Sequence, residues 1–155
     1  LIRTERADSL GRFTNGDVEY MLPGDINIGM TRDDLSKLAQ AKAANSAGQY
    51  ILLRKFGVEW VDLEHIYFSG GFANYLNVTN AQAIGMIPPV DPSVVVKVGN
   101  TSLSGAARML IDYDLRKKME GIVSEIEHVE LERESDFFNI YVEGCMLEPM
   151  PLQMI

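Results

Sequence analysis

At 155 residues the chain has the length of one ordinary domain, enough to bury a core without disulfides or a structural metal. Its 46% apolar and 23% charged residues are ordinary for a globular protein, and no run approaches the roughly 18 uninterrupted apolar residues of a membrane span. The net charge of −8, without a basic run carrying interleaved aromatics, argues against a nucleic-acid partner but not against a nucleotide, because backbone N–H groups hold phosphate without a cationic protein.

Cys145 is the only cysteine, which excludes an internal disulfide, a cysteine-based zinc site and an iron–sulfur cluster held by this chain alone. That usage suits a reducing, cytoplasmic location. Leu1–Thr14 lacks the apolar run of a signal peptide and does not open with methionine, so the chain reads as a piece of a longer protein.

In chain order, residues 1–23 form an opening segment and a hairpin, in which Arg12 to Leu22 gives two short strands around Asn15-Gly16 before Pro23-Gly24. Thr31-Arg32-Asp33-Asp34 reads as a helix start, with Thr31 as N-cap, and the helix runs to about Phe56 before Gly57. Its middle is rich in alanine and contains Gly48, which predicts a buried helix making close contacts. Lys42, Asn45, Ser46 and Gln49 follow i, i+3, i+4, i+7 and share one face, either solvated or turned toward a ligand.

Val58–Asp62 reads as a linker, and His65 as a strand-edge residue with no metal-ligand spacing around it. Ile66 to Ser69 is then an apolar, aromatic strand that runs into Gly70-Gly71. Two glycines there suit a turn, and equally a site where a ligand lies directly on the main chain. A short helix closes at Gly85, Pro88-Pro89 enforces an extended exit, and Val94–Val98 is a β-branched strand.

Gly99-Asn100 opens another helix, with Leu103, Ala106, Ala107 and Leu110 on one side and Gly105 marking close packing. A further helix places Leu115, Met119, Ile122, Val123 and Ile126 on one face. His128–Leu131 reads as an edge strand, Ser135–Leu147 as a helix capped by Ser135, and Cys145 as a small hydrophobe. Residues 149–155, with prolines and methionines, read as a tail. Alternating strands and helices give an α/β class, a mixed sheet flanked by helices.

Three segments taken together resemble one family: Asp25-Ile26 with Ala41-Lys42-Ala43-Ala44, then Phe68 to Leu76, then Val98 to Ala107. They are similar to the C-terminal part of the ATP-dependent reductive activators of corrinoid proteins, from roughly Gly24 to Glu148. The resemblance implies the fold of acetate and sugar kinases, heat-shock chaperones and actin, in which two ribonuclease-H-like subdomains clamp ATP; residues 24–148 would be the second of these actin-like ATPase subdomains.

In that superfamily a strand ending in Gly-Gly contacts adenosine. Gly70 and Gly71 match it, with Phe72 and Asn74 in the following turn. Lys42 and Ser46 match two positions of the Glu-x-x-Lys-x-x-x-Ser pattern by which chaperones grip adenosine, while Ala39 stands where that pattern has glutamate. The resemblance implies ATP with magnesium in the intact protein, an iron–sulfur cluster in the parent protein only, a corrinoid protein as partner, and a piece inactive by itself. The alternatives are an interaction or homodimerisation module without nucleotide, which the acidic charge and C-terminal methionines suit, and part of a small-molecule kinase of the same superfold.

Overall fold

The computed structural model describes Phe13–Thr14, Glu19–Met21 and residues 29–151. The expected Asn15-Gly16 turn, Asp25-Ile26 and the tail beyond Pro151 lie outside the described residues. The hairpin strands are β1 (Phe13–Thr14) and β2 (Glu19–Met21), antiparallel with Phe13 opposite Tyr20. A strand not foreseen, β3 (Gly29–Thr31), pairs antiparallel with β2, placing Tyr20 opposite Met30.

Helix α1 (Arg32–Phe56) begins directly after β3. Thr31 Oγ1 accepts from the Asp34 N–H at 3.1 Å and Asp34 Oδ2 accepts from the Thr31 N–H at 3.0 Å, a reciprocal cap that satisfies otherwise unpaired groups. Asp33 and Asp34 sit in the first turn and Arg54 and Lys55 in the last, each complementing the helix dipole. Gly57 ends the helix in the left-handed conformation, at φ 74°.

The apolar side chains buried on α1 are Ala43, Ala47 and Ile51, at i, i+4, i+8, with Lys42, Ser46 and Gly48 buried beside them. Against it packs α5 (Phe137–Gly144), the most extensive contact between elements. Small residues allow the approach: a Cβ on Gly144 would lie 3.1 Å from both Ala43 Cα and Ser46 Oγ. Gly48 also makes a close contact, as expected, with its partner being Leu131 Cδ1, 3.3 Å from a Cβ built there. Charge pairs fix the ends of this packing, with the Arg54 guanidinium gripping both oxygens of Asp136 and Lys55 Nζ 2.8 Å from Glu134.

β4 (Ile66–Ser69) and β5 (Val95–Gly99) form a separate parallel pair. Between them α2 (Val78–Ala83) is capped by Asn77, whose Oδ1 accepts from the Asn80 N–H at 2.9 Å. Gln82 Nε2 donates to the carbonyls of Pro88 and Val90, at 2.9 and 2.7 Å, and thereby fixes the proline exit. The 58–62 linker contains a 3₁₀ turn, Trp60–Asp62, with Trp60 buried.

After β5 come α3 (Thr101–Ile111) and α4 (Tyr113–Glu125), N-capped by Asn100 and Asp112. Their predicted apolar sides are largely uncovered: Leu103 is 67% and Leu110 76% exposed. Gly105 does not mark a close contact either, since a Cβ there would meet nothing within 4 Å. Among the described residues α3 and α4 pack mainly on each other, and periodicity reveals a side chain's face but not what covers it.

Two C-terminal readings need correction. His128–Leu131 is not a strand, because the chain there is irregular and leads into a 3₁₀ turn, Leu131–Arg133, that supplies the side chain against Gly48. The final helix starts at Phe137 rather than Ser135, since Phe137 N–H donates to Glu134 O and holds residues 134–136 in a turn.

Candidate functional site

Because β4 and β5 are parallel, their C-terminal ends open on the same edge of the pair, the edge where parallel sheets receive ligands. Gly70 leaves β4 at φ 106°, a region that residues with a Cβ avoid, and its N–H donates to Gly99 O at 2.8 Å. Ser69 Oγ donates to the same carbonyl at 3.1 Å and shares a hydrogen bond with Thr101 Oγ1. The two strand–glycine–helix junctions are thus tied to each other.

Beyond Gly71 the chain makes one compact turn. Ala73 N–H donates to Gly70 O at 3.2 Å, and the N–H groups of Tyr75 and Leu76 donate to Phe72 O, both at 3.1 Å. Ala73 is buried and anchors the turn, whereas Gly71, Phe72 and Asn74 are exposed. A Cβ built on Gly71 meets nothing within 4 Å, and its φ is not in the left-handed region. Neither backbone conformation nor packing among the described residues requires glycine there.

Lys42 and Ser46 stand apart from that loop. They line a cavity of about 470 Å³ between α1, α5 and residues 146–151, which Tyr50, Asn139, Ile140, Glu143 and Met150 also line and to which none of Gly70, Gly71, Phe72 and Asn74 contributes. The six residues therefore fall into two groups, each brought together internally. Asp136 at the N-cap of α5 and Asn139, Ile140 and Glu143 on it are spaced i, i+3, i+4, i+7, a helical signal in the sequence that would have pointed to them.

The polar stripe of α1 is used within the chain. Lys42, only 3% exposed, donates through Nζ to Gly144 O at 2.9 Å and Met146 O at 3.0 Å, capping the C-terminal end of α5. Burial pushes the Lys42 ammonium below its ordinary pKa. Asn45 and Gln49 both donate to Met86 O, at 3.1 and 3.2 Å, and Ser46 Oγ donates to Ala43 O at 3.1 Å. Met150, one of the methionines expected on the surface, is buried against this cavity.

The family described as "C-terminal domain of RACo the ASKHA domain" matches residues 3–155. The chain belongs to this family. The ASKHA domain is 34% identical over 128 residues to the corrinoid activation enzyme RamQ of Eubacterium limosum, a match covering 80% of this chain and 21% of that protein. It is 27% identical over 132 residues to the [Co(II) methylated amine-specific corrinoid protein] reductase of Methanosarcina barkeri, covering 81% and 24%.

Among solved structures it superposes on a reductive activator for corrinoid, iron–sulfur protein with a TM-score of 0.82 at 28% identity, over 95% of this chain and 25% of that one. The actin-like ATPase fold expected from the three segments is thereby established. The ASKHA domain spans a fifth to a quarter of the length of these relatives. Among its described residues no helix is long and apolar enough to cross a membrane, and no three His, Cys, Asp or Glu side chains gather as metal ligands.

Proposed function

We propose that this ASKHA domain supplies one wall of an ATP site in a protein that reductively activates a corrinoid protein. Gly71 carries the reading: among the described residues its missing side chain serves neither φ nor packing, and it lies at the ligand edge of a parallel strand pair. Gly70 and Gly71 present main chain to the nucleotide, with Phe72 and Asn74 exposed beside them. Lys42 and Ser46 present the second polar group, and Lys42 keeps one N–H free of the two carbonyls it caps.

ATP bound there would supply the hydrolysis that drives electron transfer onto the corrinoid cobalt. The domain's own residues bind and orient; none of them is assigned to catalysis. Magnesium and an iron–sulfur cluster are what the family resemblance implies for the intact protein, and a cluster would be held outside these residues, since the single Cys145 cannot hold one. Similarity to a corrinoid activation enzyme and to a corrinoid protein reductase supports a corrinoid protein as partner.

The test is cobalt reduction by the full-length protein, followed optically with and without ATP. Gly71→Val should lose most of the ATP stimulation, while Gly57→Ala, at a distant helix end, should keep it. Full ATP stimulation in Gly71→Val would remove the assignment. A docking role draws on a different observation, the exposed Leu103, Leu110 and Ile111 side chains of α3, and predicts oligomers by light scattering that do not respond to nucleotide.

A further inference from the structure

We infer that Lys97 is a positioning residue for the Gly70–Gly71 loop, holding the far end of the turn that follows the glycines. Lys97 lies on β5 opposite Phe68, one pair before the register shifts so that Ser69 faces Gly99. From there Nζ reaches across to Leu76 O at 2.6 Å and Asn74 O at 3.3 Å.

The loop is fastened at both ends to β5 and its junction. At its start Gly70 N–H is bonded to Gly99 O, and at its end the Lys97 ammonium collects the carbonyls of the closing turn. Both carbonyls accept from the one ammonium, and a charged donor makes a stronger hydrogen bond than a neutral one. Between the two fastenings the ligand-facing residues are exposed and gain little rigidity from packing. A wall fixed before the ligand arrives loses less conformational freedom on binding.

Lys97 is itself exposed. Water can replace its hydrogen bonds when it is removed, so the fold survives and the loss appears in loop order and in ligand affinity. This inference rests on the reading of the glycine loop as a nucleotide wall, and its test separates the two.

In the full-length protein, Lys97→Met, Lys97→Arg and Gly71→Val are compared for binding of AMP-PNP with magnesium by calorimetry, and for amide exchange at residues 73–76 without nucleotide. Lys97→Met should bind roughly five- to tenfold more weakly, with faster exchange and a nearly unchanged melting temperature, and Lys97→Arg should restore most of both. Wild-type exchange and affinity in Lys97→Met, or no rescue by arginine, would overturn the role. If Gly71→Val weakens binding and Lys97→Met does not, only the Lys97 inference fails. If Gly71→Val binds normally, the nucleotide wall itself fails, and the exchange rates still decide whether Lys97 orders the loop.

Discussion

Gly85→Ala tests how the C-terminal segment is held on α1. Gly85 sits at φ 73°, and a Cβ there would lie 2.2 Å from Glu148 O and 2.8 Å from Lys42 Nζ. The left-handed backbone alone costs a residue with a Cβ about 1–2 kcal/mol. The overlap with a backbone carbonyl adds to this, because residues 144–148 must shift and strain the two Lys42 hydrogen bonds that anchor them, worth together about 1.5–3 kcal/mol. The sum is about 2.5–5 kcal/mol.

Gly57→Ala is the matched control. Its φ of 74° is nearly the same, but its Cβ meets nothing within 4 Å, so only the backbone term of about 1–2 kcal/mol applies. For a protein of this size each kcal/mol moves the melting temperature by about 2–4 °C. Thermal denaturation followed by circular dichroism should therefore show Gly85→Ala losing at least twice what Gly57→Ala loses. Equal losses would refute the close approach of the Gly85 turn to Glu148.

Lys42→Met removes both donors to Gly144 O and Met146 O, and by the same thermal assay should destabilise by about 1.5–3 kcal/mol, so any loss of nucleotide affinity in this variant must be read beside its melting curve. Asp136→Asn should destabilise at neutral pH and progressively less in acid. The Arg54 guanidinium holds the Asp136 carboxyl below the ordinary carboxylate value, so its contribution is present above about pH 4 and is lost as the pH falls through the depressed pKa. Urea denaturation across pH measures this, with the wild-type and variant curves converging at the acid end. Gly71→Ala should melt as the wild type does, while Gly70→Ala should lose about 1–2 kcal/mol because only Gly70 is left-handed.

The parts of the fold set by local chemistry were readable from the residues. Thr31 with Asp34 announces the start of α1, Gly57 its end, and the β-branched Val94–Val98 run the parallel strand. The parts set by distant partners were not. The stripe of Lys42, Asn45, Ser46 and Gln49 suggested water or a ligand, yet Lys42, Asn45 and Gln49 meet the end of α5 and Met86 O, backbone groups 37 to 104 residues away, and Ser46 turns back to Ala43 O on its own helix.

His128–Leu131 shows the opposite case. Its valine and leucine fit a strand, but among the described residues no strand pairs with it, and Leu131 is spent instead on the space above Gly48. At the candidate site the strand and glycines were legible as a motif. The ties between Ser69, Gly70, Gly99, Thr101 and Lys97 were not, because they depend on the parallel pairing of two strands separated by 25 residues of intervening chain.

The most direct measurement of the central claim is a calorimetric titration of the full-length protein, wild type and Gly71→Val, with a non-hydrolysable ATP analogue. The branched side chain would project into the space open beside the main chain among the described residues, where the proposed nucleotide would lie. The account predicts affinity at least about tenfold weaker in the variant. Equal affinity in two proteins of equal thermal stability would contradict it.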